Sequence, residues 1–130
     1  MKDPQGAKSE GFKFDDHDAA AKPMWDLLPF DSLEEVARVY TWACTREDKP
    51  YPPRNWENGM RWGRAFAALW RHATAWWRGQ DRDQASGLHP MAHVAFWALA
   101  LIRYDRTHKK LDDRPREIER AEREQAHHEG

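Results

Sequence analysis

The sequence predicts an all-α fold, a compact helical bundle of three main helices with a fourth, charged segment behind them. Two observations predict it. Apolar side chains recur at intervals of three and four residues in three separate stretches, and no stretch alternates apolar and polar residues as a half-buried strand does. A chain of 130 residues suits one domain with a single core.

Residues 1–21 mix charge, Gly and Ala without periodicity, which reads as a flexible N-terminal arm. The helical domain is expected over 22–108 and a charged C-terminal extension over 109–130. Its first piece, Lys22 to Pro29, is apolar but bracketed by prolines, which favours an extended or turn-like segment over a regular helix. Asp31 and Ser32 are good N-caps, and Leu33, Val36, Ala37, Tyr40 and Cys44 follow at helical spacing as a first amphipathic helix. Glu34 and Glu35 fall in its first turn, where they complement the helix dipole, and Glu34 has Arg38 one turn later as an ion-pair partner.

From Thr45 to Asn58 the chain is polar and carries Pro50, Pro52 and Pro53, so a long connection without a helix of its own is expected. A second helix is expected from Arg61 to Trp77, with Trp62, Phe66, Leu69, Ala73 and Trp76 as its apolar stripe and Gly79 as its stop. Beside that stripe runs another of Ala65, Ala68, His72 and Ala75, whose small side chains suit close helix contact or leave room for a ligand. A third helix, from His89 or Pro90 to Tyr104, is apolar nearly all round and belongs at the centre of the bundle, which buries His93. Beyond Asp105, the stretch from Arg116 to Gln125 either forms a solvated helix, with Glu119 and Arg123 paired, or frays.

The formal net charge of −1 argues against a general binder of duplex nucleic acid, which needs a basic excess. Cys44 is the only cysteine, so an intramolecular disulfide and a multi-cysteine metal site are excluded and a reducing cytoplasm fits. The longest apolar run, Val94 to Ile102, is far short of the ~20 residues that span a membrane. Eight tryptophans are the compositional outlier. Large rings help a small domain bury surface, and they also make stacking platforms for a nucleobase; Trp56 and Trp76 are the candidates for that role.

His72, Asp81, Asp83 and His93 are drawn together because a helix end, the loop it enters and the start of the next helix must be close in space. Imidazole with carboxylates can hold a divalent ion, and oxygen ligands suit Mg²⁺ carrying nucleotide phosphates. The competing reading makes Asp81 and Asp83 solvated turn residues and the histidines hydrogen-bonded core groups. Arg54, Arg61, Arg64 and Arg71 are candidate phosphate binders, with Arg64 and Arg71 two turns apart on one face. His89 and His93, four residues apart, are a weak metal signal because Pro90 places His89 at the helix start.

The segments KPMWDLLP, PRNWENGMRW, ALWRHATAWWRGQDRD and SGLHPMAHV, together spanning Lys22 to Tyr104, resemble the bacteriophage dATP/dGTP diphosphohydrolase N-terminal domain family. That family is considered similar to the all-α nucleotide pyrophosphohydrolases of the MazG kind. The resemblance implies an enzyme of the host-cell cytoplasm, homo-oligomeric, that uses Mg²⁺ (or Mn²⁺) to split a (deoxy)nucleoside triphosphate into monophosphate and pyrophosphate. Matching positions are Arg71, His72, Gly79, Asp81, Asp83, Ser86, Gly87 and His93. In that scheme Asp81 and Asp83 hold metal, His72, Asp83 and His93 are catalytic, and Arg71, Arg64, Trp76, Trp56 and Gln80 bind substrate. The family carries Glu where this chain has Gln80 and Ala85, and His where it has Pro90. Gln80 offers a neutral carbonyl oxygen where a carboxylate would bring charge and a base. The alternative is therefore a catalytically degenerate protein that binds and sequesters a nucleotide or nucleotide signal.

Overall fold

The computed structural model describes residues 22–129, so the arm expected over 1–21 lies outside the described residues. Among the described residues all regular structure is helical, with no strand and with four α-helices: α1 (Phe30–Thr45), α2 (Trp62–Trp77), α3 (Pro90–Thr107) and α4 (Glu117–Glu129). The all-α class is as expected. None of the described helices is long and apolar enough to cross a membrane.

The described residues ahead of Asp31 belong to a unit of their own, and the chain from Asp31 onward forms the second. In the first, Trp25–Leu27 make one 3-10 turn, closed by the Leu27 N–H to the Met24 carbonyl at 3.1 Å. That is the turn-like piece the flanking prolines favour.

In the second unit, α1 begins one to two residues earlier than its capping residues suggested. Asp31 sits inside the first turn, where its carboxylate accepts the Ser32 N–H at 2.8 Å. Glu34 does pair with Arg38, at 2.8 Å. The buried residue of α1 is Val39, flanked by the half-buried Val36 and Tyr40, whereas Leu33 is 38% exposed. The helix has apolar residues over a wide arc, and packing selected an arc centred a few residues on from the one periodicity suggested.

α2 shows the same choice between two stripes. Ala65 and Ala68 are buried, while Phe66 and Trp76 are 53% and 40% exposed. Alanines let α2 approach α3 closely, so the small-residue stripe faces α3 and the large rings turn partly outward. Phe66, Trp70 and the 80% exposed Trp77 leave an aromatic ridge on the outer side. Arg78 and Gly79 end the helix: the Gly79 N–H donates to the Trp76 carbonyl and the Gln80 N–H to the Ala75 carbonyl, both at 3.0 Å, with Gly79 at φ +108°. Only glycine adopts this left-handed exit cheaply.

α3 is the central helix, with Ala92, His93, Phe96, Ala100 and Tyr104 buried, and it runs three residues beyond the expected end, to Thr107. Pro90 occupies its first turn and the His89 ring caps it, Nδ1 accepting the Met91 N–H at 3.0 Å. The capping bond occupies the His89 nitrogen and explains the residue without a metal. The Tyr104 hydroxyl donates to the Trp56 carbonyl at 2.6 Å, fastening the proline-rich connection to α3 across 48 residues of sequence. That connection is not wholly irregular, since Asn55–Asn58 make a 3-10 turn. α4 forms, with Glu119 paired to Arg116 at 3.6 Å.

Gly59 joins that 3-10 turn to α2 at φ +86°, and a β-carbon there would meet the His108 ring at 2.5 Å. Gly59→Ala is expected to destabilise the domain by about 2–3 kcal/mol, from the left-handed backbone and the ring displacement together. Urea unfolding measures it. A loss no larger than that of Gly87→Ala, which meets nothing within 4 Å, would show that the His108 ring gives way freely.

Candidate functional site

A cavity of about 840 Å³ opens between the second half of α1, the proline-rich connection, α2, the 79–88 loop and the first turns of α3. Its walls differ in chemistry. The α1 and connection side carries Tyr40, Trp42, Tyr51 and Trp56, and α3 adds Phe96 and Trp97. These rings brace one another: Tyr40 lies 4.6 Å from Phe96, and Phe96 meets Trp97 edge-on at 5.0 Å. The rest of the lining is polar and holds Arg71, His72, Asp83 and His93.

The polar wall is built from Asp83 outward. Its Oδ2 accepts the Ala85 N–H at 3.1 Å, the Ser86 N–H at 2.9 Å and the Ser86 hydroxyl at 3.1 Å, and its backbone closes the loop through bonds with Leu88 and Gly87. An aspartate followed by small residues folds locally in this way because its carboxylate substitutes for the missing turn acceptors. The loop thus aims Oδ1 at the Nδ1 of His72, 3.3 Å away. His72 and His93 stack with ring centroids 4.4 Å apart and planes 12° from parallel. The edge of His93 meets Trp42, and its Nε2 lies 2.7 Å from the Ser86 hydroxyl oxygen and 3.8 Å from Asp83 Oδ2.

Burial governs the charge of this cluster. Burial pushes the His93 imidazole down to about 4, helped by repulsion from His72 and only partly opposed by Asp83. Burial also lowers His72, with Asp83 pulling it back up and Arg71 adding to the depression. Burial alone would raise the Asp83 carboxyl, but the Ser86 N–H, His93, the Ser86 hydroxyl and His72 together hold it below its ordinary value. At neutral pH this cluster is therefore one carboxylate beside two stacked, neutral imidazoles.

Three arginines line the cavity, and two are neutralised. Arg46 is held two-pronged by Asp48 at 2.8 and 2.9 Å and lies over the Trp42 ring, while Arg54 pairs with Glu57. Among the described residues Arg71 makes no ion pair, so it is the lining cation left for an anionic ligand.

Of the residues singled out in the sequence, His72, Asp83, His93, Arg54, Arg71 and Trp56 line this cavity, whereas Arg61, Arg64, Trp76, Gln80, Asp81 and His89 are not in its lining. The Gln80 amide is used within the loop, donating to the Arg82 carbonyl at 2.8 Å. Trp42, Tyr51, Arg46 and Trp97 also line the cavity, and Ser86 bonds Asp83 and His93 behind it, none of which the sequence pattern singles out as site groups beyond the family position of Ser86. The two sequence signals that point to them are the tryptophan excess and the triple-proline connection.

The donor set does not fit a protein-held Mg²⁺ or Mn²⁺. Asp83 has both oxygens engaged, Asp81 is exposed and outside the lining, and no group of three or more His, Cys, Asp or Glu among the described residues is arranged to hold a metal ion.

A family model described as dATP/dGTP diphosphohydrolase, N-terminal, matches residues 13–114 of the chain. No curated protein and no solved structure matches it.

Proposed function

Because the chain belongs to the dATP/dGTP diphosphohydrolase N-terminal family, a family of nucleotide hydrolases, we propose that its cavity takes a purine (deoxy)nucleoside triphosphate and releases monophosphate and pyrophosphate. The observation that carries the reading is a cavity of about 840 Å³ that aromatic rings and polar side chains line together, within the size range of small-molecule sites. Tryptophan and tyrosine rings stack on a base irrespective of its edge, and Arg71 meets the phosphates. A water beside the imidazoles attacks phosphorus, one of its protons passes to an imidazole nitrogen, and the bond to the leaving pyrophosphate oxygen breaks as Arg71 offsets the developing charge.

A second reading, binding without turnover, is favoured by one observation. Among the described residues the only carboxylate in the lining is Asp83, and its oxygens are already committed within the protein. One experiment separates the two. The purified chain is incubated with dATP, dGTP, ATP and GTP in Mg²⁺, Mn²⁺ or EDTA, and the nucleotides are then analysed by mass spectrometry after denaturation. Monophosphate with pyrophosphate supports hydrolysis; bound triphosphate recovered intact supports sequestration; neither binding nor cleavage overturns both. Arg71→Ala is expected to weaken nucleotide binding about 10- to 100-fold, the loss of one charge-assisted contact.

A further inference from the structure

We propose that Ser86 is a positioning residue that fixes His93 in the Nε2-protonated tautomer, so that the stacked His72 and His93 both turn an unprotonated nitrogen toward the cavity. The assignment follows from counting protons around one hydroxyl. The Ser86 oxygen accepts the Leu88 N–H at 3.2 Å and has one proton to give, with two neighbours in reach: Asp83 Oδ2 at 3.1 Å and His93 Nε2 at 2.7 Å. If that proton went to His93, the hydroxyl oxygen would face the carboxylate oxygen with no proton between them, two electron-rich atoms in contact. If it goes to Asp83, the strongest acceptor present, His93 Nε2 must itself carry a proton to hold the 2.7 Å contact. Only the second arrangement satisfies all three contacts.

The other ring is set by the same carboxylate. A carboxylate only accepts, so the 3.3 Å approach of Asp83 Oδ1 to His72 Nδ1 favours the tautomer with a proton on Nδ1 and leaves Nε2 bare. On His93 the bare atom is Nδ1, which makes no hydrogen bond to the protein. Among the described residues no buried side-chain nitrogen or oxygen lacks a partner, so this atom is open to the cavity that His93 lines. One aspartate and one serine thus hold two neighbouring imidazoles in opposite tautomers, each with a lone pair for the cavity. Two acceptors on stacked rings match a ligand with two donors, and water is the smallest such ligand. A water that gives one hydrogen to each ring keeps its oxygen lone pairs free for attack, and on attack one proton transfers to His72, whose developing charge Asp83 stabilises. The His93 tautomer stands on the hydrogen bonds of Ser86 and that of His72 on its approach to Asp83; their use in turnover rests on the nucleotide reading above.

The test is long-range ¹H–¹⁵N NMR of the full chain at pH 7.5, which distinguishes a protonated from a bare ring nitrogen. In the wild type, His93 is expected to show a protonated Nε2 and a bare Nδ1. Ser86→Ala is expected to move His93 to a mixed or reversed pattern and to lower kcat about 10- to 100-fold, with Ser86→Thr, which keeps the hydroxyl, restoring both. A protonated Nδ1 in the wild type overturns the proposal, and so does an unchanged pattern in Ser86→Ala. The wild-type spectrum decides even where the alanine variant folds poorly. Absence of nucleotide cleavage would count against the hydrolase reading and leave the tautomer result standing.

Discussion

Asp83→Asn is expected to reduce turnover about 10³- to 10⁴-fold with the fold retained, the size of effect seen when an aspartate that orients a catalytic imidazole becomes its amide. The asparagine carbonyl can replace Oδ2 and keep the loop, accepting the Ala85 and Ser86 N–H groups and the Ser86 hydroxyl. Its amide nitrogen then replaces Oδ1 and offers a proton to His72 Nδ1, where the carboxylate took one. His72 must present a lone pair at Nδ1 and carry its proton at Nε2, so the atom facing the cavity changes from acceptor to donor. The negative charge that would stabilise an imidazolium is lost at the same time. Asp83→Ala behaves differently, because it also strips two backbone N–H groups of their acceptor and weakens the loop by about 1–3 kcal/mol. Steady-state kinetics with thermal unfolding of both variants checks this. Full turnover in Asp83→Asn would reduce Asp83 to a staple of its own loop.

The parts of the cavity that were legible in the sequence are those whose proximity is local. His72, Asp83 and His93 lie within 22 residues on a helix, a loop and the next helix, and chain connectivity alone brings them together. Burial of His93 was equally plain, since a helix apolar on all sides has no solvent face to give it. The aromatic wall was not legible for the converse reason. Trp42 reaches the cavity because of the rotation of α1, which packing of Val39 against Ala92 and Phe96 decides. Tyr51 and Trp56 reach it because the connection is tied at two distant points, the Tyr51 N–H to the Ala43 carbonyl at 2.9 Å and the Tyr104 hydroxyl to the Trp56 carbonyl. Helical period cannot choose between two stripes on α2, because both Trp62–Phe66–Leu69 and Ala65–Ala68–His72 satisfy it. What chooses is the depth of contact with α3, a tertiary quantity. Arg64 and Arg71 share a face by spacing, yet only Arg71 lies at the level of the cavity.

Stability is expected to fall by about 3 kcal/mol between pH 7 and pH 4, with the imidazole pair as the main cause. In the unfolded chain His93 titrates at its ordinary value of 6.5, whereas in the fold burial and His72 push it down to about 4. Between those two values the unfolded state binds the proton and the folded state does not, so acidification favours unfolding throughout that window. His72 is shifted in the same direction, by burial first, and adds to the slope. Asp83 acts at the acid end. Its folded carboxyl lies below the unfolded value, so its contribution is present above the unfolded value and is lost as pH falls through the folded one. The three groups therefore destabilise in sequence, the histidines first and the carboxylate last. Urea unfolding at pH 7, 5.5 and 4 measures the slope, and His93→Gln, which stays neutral throughout, is expected to remove most of it. A flat wild-type profile over that range would mean that the imidazoles titrate as exposed groups do, against the burial of His93 and its stacking on His72.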